Sequence, residues 1–219
     1  MLGVKPFIIF VFLYIIFMNQ SNKNIHPTFD KILRREDKEK LLNQRSIVIW
    51  ITGLSGSGKT TIAKALEIQL HRKGHLTKLL DGDNVRTGIN NNLGFSEAER
   101  KENIRRIAEV SKLFKDGGVI LINCFISPTK EIRDQAKNII GADDFFDIYV
   151  NTPLEVCEQR DEKGLYAKAR AGVIKNFTGI DSPYEEPENP AVEIKTTEMS
   201  VEEATTKILK VLLPKIEYK

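Results

Sequence analysis

A chain of 219 residues, 41% of them hydrophobic, is long enough to bury one α/β core and too apolar for a disordered tail. Lys and Arg number 33 against 30 Asp and Glu, so the overall charge gives no footprint for nucleic acid and any anion site must be local. Cys124 and Cys157 lack metal-ligand spacing and read as reduced, buried thiols.

Residues 7–18 form an apolar run after Lys5, shorter than the roughly 20 residues that span a bilayer. No small-residue cleavage pattern follows Met18. Three readings stay open: an anchor in contact with the membrane, a targeting leader, or an upstream extension of a soluble protein. The sequence thus divides into an N-terminal extension (1–23), a charged connector (24–45) and one domain (46–219).

Residues 47–51 are β-branched and apolar without alternation, the pattern of a parallel strand buried on both faces. A glycine-rich turn follows. Residues 61–73 predict a helix stopped by Gly74, and residues 76–80 a second strand ending at Asp81. Ser96 and Glu99 form a capping box for a helix through about Lys115, which Gly117 and Gly118 stop. A third strand (119–124), a helix (132–140) and a fourth strand (146–150) come next. Pro153 suits the first position of a helix running to Arg160. Residues 181–190, with three prolines and four acids, read as a surface loop. Ser200 and Glu203 then cap a last helix ending near Leu213, before Pro214. Such alternation predicts an α/β fold with a mainly parallel sheet, helices on both faces and ligands beyond the carboxyl ends of the strands.

The turns after the first three strands carry the chemistry. Gly53-Leu54-Ser55-Gly56-Ser57-Gly58-Lys59-Thr60, continued by Thr61, fits G-x-x-x-x-G-K-[ST] at every fixed position. Glycines let backbone N–H groups converge on a phosphate chain at a helix N-terminus; Lys59 meets the outer phosphates and Thr60 helps hold Mg²⁺. A plain strand-to-helix turn would need neither Lys59 nor Thr60. The fold class expected is therefore a P-loop NTPase-type three-layer α/β/α domain. After the second strand, Asp81 and Asp83 stand two apart with Arg86 nearby. They suit metal orientation and acceptance of a hydroxyl proton, or else an Asx turn that caps the strand. On the capped helix, Arg100, Asn103, Ile104, Ile107, Ser111 and Phe114 share one stripe, which turns Arg100 and Asn103 inward toward an anion; a solvated face suits Glu102 and Arg105 better and is the alternative for Arg100. Ser127, after the third strand, is a turn residue, a hydroxyl for substrate or a phosphoryl acceptor. The basic stretch 164–172 and Phe177 suit a lid at about 160–180, or a charged surface helix.

Taken together, GLSGSGKTT from Gly53, DGDNVR from Asp81, NLGFSEAERKENIRR from Asn92, FISP from Phe125, PLEVCEQRDEKGLYAKARAG from Pro153 and FTGIDSPYE from Phe177 closely resemble adenylylsulfate kinase. The resemblance runs from about Asn24 to the C-terminus. It implies phosphorylation of the 3′-hydroxyl of adenylyl sulfate, in sulfate activation, with ATP and Mg²⁺ as cofactors and no nucleic-acid partner. It implies that the P-loop binds ATP, with Lys59, Asp81 and Asp83 catalytic and Thr60 and Asp83 at the metal. It further implies that Arg86, Arg100 and Asn103 hold phosphosulfate and ribose, that Phe95 and Phe177 stack the adenine, and that Ile126 and Ser127 line the acceptor side. Lys168 would lie in the lid. Ser127 matches the family's phosphoserine-intermediate position, although in-line transfer between two bound nucleotides needs no covalent relay. Family habit implies a homodimer, and the need for ATP a cytoplasmic enzyme or one anchored facing the cytosol. Thr129-Lys130 stands where the family pattern has Tyr-Arg, leaving Lys130 or Arg133 to replace the charge. A kinase for another small metabolite and a hydrolysis-driven switch remain as alternatives.

Overall fold

The computed structural model describes residues 25–28 and 31–218, so the apolar run 7–18 lies outside the described residues. The chain divides into two units, residues 1–34 and 35–219. No helix among the described residues is long and apolar enough to cross a membrane.

The second unit is built on a five-stranded sheet of β1 (Val48–Thr52), β2 (Thr77–Asp81), β3 (Ile120–Cys124), β4 (Phe145–Asn151) and β5 (Val192–Lys195). Its order is β2-β3-β1-β4-β5 and every pairing is parallel, as the alternating pattern predicts. All five residues of β1 are buried because helices cover both faces. On one face, Ile49, Ile51, Ile122, Ile148 and Val150 pack with Leu66 and Leu70 of α2 (Lys59–Arg72) and with Ile208 and Leu212 of α8 (Val201–Ile216). On the other, Val48, Trp50 and Leu121 pack with Ile104, Ile107 and Ala108 of α4 (Glu97–Asp116) and with Ile132 and Ala136 of α5 (Lys130–Ile140).

Several local expectations are revised. Within the stretch read as a connector, Arg35–Leu42 forms helix α1. Polar contacts hold it: Glu39 is 7% exposed and accepts from the Ser46 amide and hydroxyl, both at 2.7 Å, while Arg35 reaches Asp144 at 2.6 Å. Helix α4 has its capping box, but its buried stripe drifts after Ser111, leaving Phe114 36% exposed and Lys115 7% exposed. Lys115 Nζ donates to the Ile140 carbonyl and to Asp144, both at 3.0 Å, which makes the buried ammonium tolerable. Pro153 is the N-cap of α6 (Leu154–Arg160), with ψ 144° outside the helical range. Helix α8 continues past Pro214 even though the proline removes one donor to the preceding turn, and buried Ile216 anchors the end. Short elements α3 (Gly82–Arg86) and β5 escaped sequence reading, while α7 (Leu165–Arg170) falls within the stretch 164–172, which also reads as a charged helix.

Candidate active site

The P-loop leaves β1 through Gly53, whose φ is 153° and where a Cβ would stand 2.6 Å from the Val150 carbonyl oxygen. Only glycine passes so close to the neighbouring strand. Gly58, in the left-handed region at φ 99°, turns the chain into α2 and leaves that helix's first N–H groups facing the loop. Lys59 is 8% exposed and its Nζ donates to the Leu54 carbonyl at 2.6 Å. Burial pushes this ammonium below its usual pKa, with Asp81 acting in the opposite sense, so an anion in the loop would relieve an electrostatic cost.

The second turn meets the first through one bond: Thr60 Oγ1 donates to Asp81 Oδ2 at 2.8 Å. The other Asp81 oxygen accepts from the Asp83 amide at 3.0 Å and caps α3. Asp81 thus serves at once as the turn cap and as a carboxylate beside the P-loop. Asp83 points elsewhere; its exposed carboxylate pairs with Lys163 in the turn between α6 and α7. Lys168, the lysine expected in the lid, lies exposed on α7, and among the described residues it is Lys163, in the turn before α7, that pairs with Asp83. Residues 160–180 thus hold a turn, α7 and a loop, and the basic stretch 164–172 contains the short helix α7 with Lys168 and Arg170 exposed.

Around the third side, Arg86 Nη1 donates to the carbonyls of Leu93 and Gly94, both at 2.9 Å, and its guanidinium lies 4.2 Å from the Phe95 ring centre. Arg100 donates from Nε to the Phe95 carbonyl at 2.9 Å, from Nη1 to Thr178 Oγ1 at 2.8 Å, and from Nη2 to the Asn176 carbonyl. It lies 5.8 Å from the same ring. Burial lowers the pKa of both guanidiniums, and Arg86 lowers that of Arg100 further. Two partly desolvated cations thus lie around one aromatic ring. Phe177 packs edge-on against Tyr166 at 4.9 Å. Arg100 bridges its turn to Phe95, and the Asp181 carboxylate closes that turn by accepting from the Asn176 and Phe177 amides. Asn103 is 6% exposed, and its Oδ1 accepts from the buried Asn90 amide at 3.0 Å.

Ile126 and Ser127 leave β3 at the same sheet edge. Ser127 is 2% exposed, in the left-handed region at φ 46°. Arg133 holds its carbonyl at 2.9 Å, while Lys130 pairs with Asp134 at 2.8 Å, so both candidate replacement cations are engaged within the protein. Cys124 lies beneath the site with its thiol pushed up to about 11 by burial; both cysteines are free and buried. A cavity of about 490 Å³ lies between Leu54 and the 179–186 loop, but Lys59, Asp81 and Arg100 do not line it.

Among the described residues, no group of three or more His, Cys, Asp or Glu side chains is placed to hold a metal ion. A hydroxyl and a carboxylate 2.8 Å apart nevertheless fit the hard-oxygen chemistry of Mg²⁺, which keeps waters and phosphate oxygens in its remaining positions. The pairing places Asp81, rather than Asp83, beside Thr60.

The family model described as adenylylsulphate kinase matches residues 45–195. An adenylyl-sulfate kinase of Bacteroides thetaiotaomicron is 61% identical over 200 residues, covering 91% of this chain and all of that protein. The adenylylsulfate kinase of Mycobacterium tuberculosis solved in complex with AMPPNP and APS superposes with a TM-score of 0.74 at 46% identity, covering 77% of this chain and 98% of that one. A hexameric adenylylsulfate kinase from Thiobacillus denitrificans has a TM-score of 0.60 at 31% identity, covering 78% of this chain and 29% of that one. Joined to a phosphate loop bonded to an aspartate at the next strand end, these likenesses establish that the chain belongs to the adenylylsulphate kinase family.

Proposed function

We propose that this protein transfers the γ-phosphoryl group of ATP to the 3′-hydroxyl of adenylyl sulfate, giving 3′-phosphoadenylyl sulfate and ADP. The observation that carries the reading is the Thr60–Asp81 bond at 2.8 Å, which sets the phosphate cradle against the acceptor side. The P-loop amides and Lys59 hold the triphosphate; Thr60 and Asp81 hold Mg²⁺. The metal supplies charge neutralisation on the β and γ phosphates. Asp83 accepts the proton of the attacking 3′-hydroxyl once Lys163 releases it, and the new O–P bond forms in line as the bond to ADP breaks. Arg86, Arg100 and Asn103 take phosphosulfate and ribose, and Phe95 and Phe177 take the two faces of the adenine.

Residues 160–180 act as the lid over this centre, within a kinase domain that includes α1. Its need for ATP suits the cytoplasm, and we infer a homodimer; the hexameric relative supports self-association, not that number of subunits. The test is ADP release by the purified protein with Mg·ATP, alone and then with adenylyl sulfate, AMP or gluconate. Stimulation by adenylyl sulfate alone is the expected result. Equal release without any acceptor, or stimulation by gluconate, overturns the reading.

A further inference from the structure

The tripeptide leaving β3, Ile126-Ser127-Pro128, is fixed from three directions. Trp50, in the middle of β1 and fully buried, donates its indole Nε1–H to Ser127 Oγ at 2.9 Å. Arg133 Nη1 holds the Ser127 carbonyl at 2.9 Å, and Thr52 Oγ1 donates to the Ile126 carbonyl at 2.5 Å. The indole ring stacks on Phe145 at 5.6 Å and leans on Phe125 at 5.9 Å, so its N–H has one direction in which to point. An indole nitrogen is only ever a donor, and burying it unpaired is costly. Ser127 Oγ is therefore the acceptor the core requires. Ser127 is 2% exposed and its Oγ already accepts this bond, so the hydroxyl faces the core more than the P-loop cleft.

We infer that Trp50 and Ser127 form a positioning pair: the core tryptophan acts through the serine hydroxyl to lock the Ile126 turn as the wall that seats the acceptor nucleotide. Ser127 then works as a fixed strut in a left-handed turn, not as a phosphoryl carrier. The inference rests on the acceptor-side reading of Ile126 given above, and it explains why a serine at φ 46° stands where glycine would relax the backbone. The acceptor hydroxyl outweighs the conformational ease.

Trp50 is the single tryptophan of the sequence, so full-length protein labelled with ¹⁵N gives one indole N–H resonance. In the unaltered protein that proton is expected to exchange with D₂O at least about 100-fold more slowly than in free indole. Exchange at the free rate overturns the inference without any variant. In Ser127→Ala and Ser127→Gly the resonance is expected to shift, and KM for adenylyl sulfate to rise about fivefold to tenfold. KM for ATP should stay within about twofold and kcat within about threefold, so kcat/KM falls through KM. Trp50→Phe is expected to change KM in the same direction. A loss of kcat beyond about 100-fold with KM unchanged would place Ser127 in the chemistry and sink the idea, as would wild-type KM in all three variants. Slow exchange alone reports that the indole is buried, so if the serine variants fail to fold the decision passes to Trp50→Phe, which keeps an aromatic ring in that core position, and a wild-type KM for adenylyl sulfate there overturns the inference. Absence of adenylyl-sulfate-dependent ADP release is a separate failure, of the kinase reading, and leaves the indole measurement interpretable.

Discussion

The two halves of the site are built differently. On the donor side, the P-loop is shaped by backbone: Gly53 passes a strand at a distance no side chain allows, Gly58 turns into a helix, and Lys59 is buried at its foot. On the acceptor side, position comes from side chains reaching across the chain, such as Arg100 to Asn176 and Thr178, and Lys163 to Asp83. Backbone-defined geometry is fixed before ligand arrives. The acceptor side mixes two kinds of tie: Trp50 and Ser127 hold the Ile126 turn from the core, while the Lys163–Asp83 pair joins exposed groups and opens at low cost. A kinase benefits from that asymmetry, because the nucleotide seat must be ready while the lid must admit and release two ligands.

The comparison breaks most severely at the donor side. Lys59→Met should lower kcat by about 10²- to 10³-fold while the melting temperature holds or rises, since a buried cation is removed; an unchanged kcat in steady-state assays contradicts the donor-side assignment. Next in size is the scaffold beneath both halves. Asp144 receives Arg35, Arg45 and Lys115 and its side chain is 12% exposed, so Asp144→Asn should cost about 2–4 kcal/mol in urea unfolding. Asp144 itself is desolvated, yet hydrogen bonds from Arg35 and Lys115 hold its pKa below the usual carboxylate value. Its contribution is therefore full above the ordinary Asp pKa of about 4 and is lost as pH falls through the depressed native value. The gap between wild type and variant should be constant near neutrality and close under acid.

Smaller effects belong to the acceptor side. Arg100→Lys keeps charge but loses the fork that joins Phe95 to the lid turn, and KM for adenylyl sulfate should rise about tenfold with KM for ATP little changed. Equal effects on both substrates would erase the division into halves. Lys163→Ala should alter unfolding stability by less than about 1 kcal/mol, because both partners of its ion pair are solvent-exposed. Its activity should nonetheless fall measurably; a fully active variant removes Lys163 from the lid.

The donor half was legible in sequence because its rules are local. A buried strand, a spaced set of glycines and a Lys-Thr pair lie within residues 47–60, and the Ser96–Glu99 box marked a helix start that the structure keeps. The stripe that turned Arg100 and Asn103 inward followed from helical period alone. What escaped depends on distant partners. Helix α1 reads as a charged connector until Asp144, 109 positions beyond Arg35, is seen to receive it. Strand β5 has four residues, too few for a period to show, and exists because β4 offers it an edge. Lys163 lies in one of the matched stretches, but only folding shows that it, rather than Lys168, meets Asp83. Trp50 looked like an ordinary core residue; its hydrogen bond crosses 77 positions.

At the amino end of the central strand β1, Gln44 bridges to Glu217, and the Arg45 amide donates to the Ile216 carbonyl at 2.7 Å. The stretch that leads into β1 is thus clasped to the tail of α8 at the end of the strands away from the phosphate loop. A reporter domain or affinity handle fused beyond Glu217 would leave the fold there, with the length of the strands between it and the reacting groups. Evolutionary tinkering with the chain's end is thereby insulated from turnover, whereas an insertion within the 176–182 turn would be felt at once.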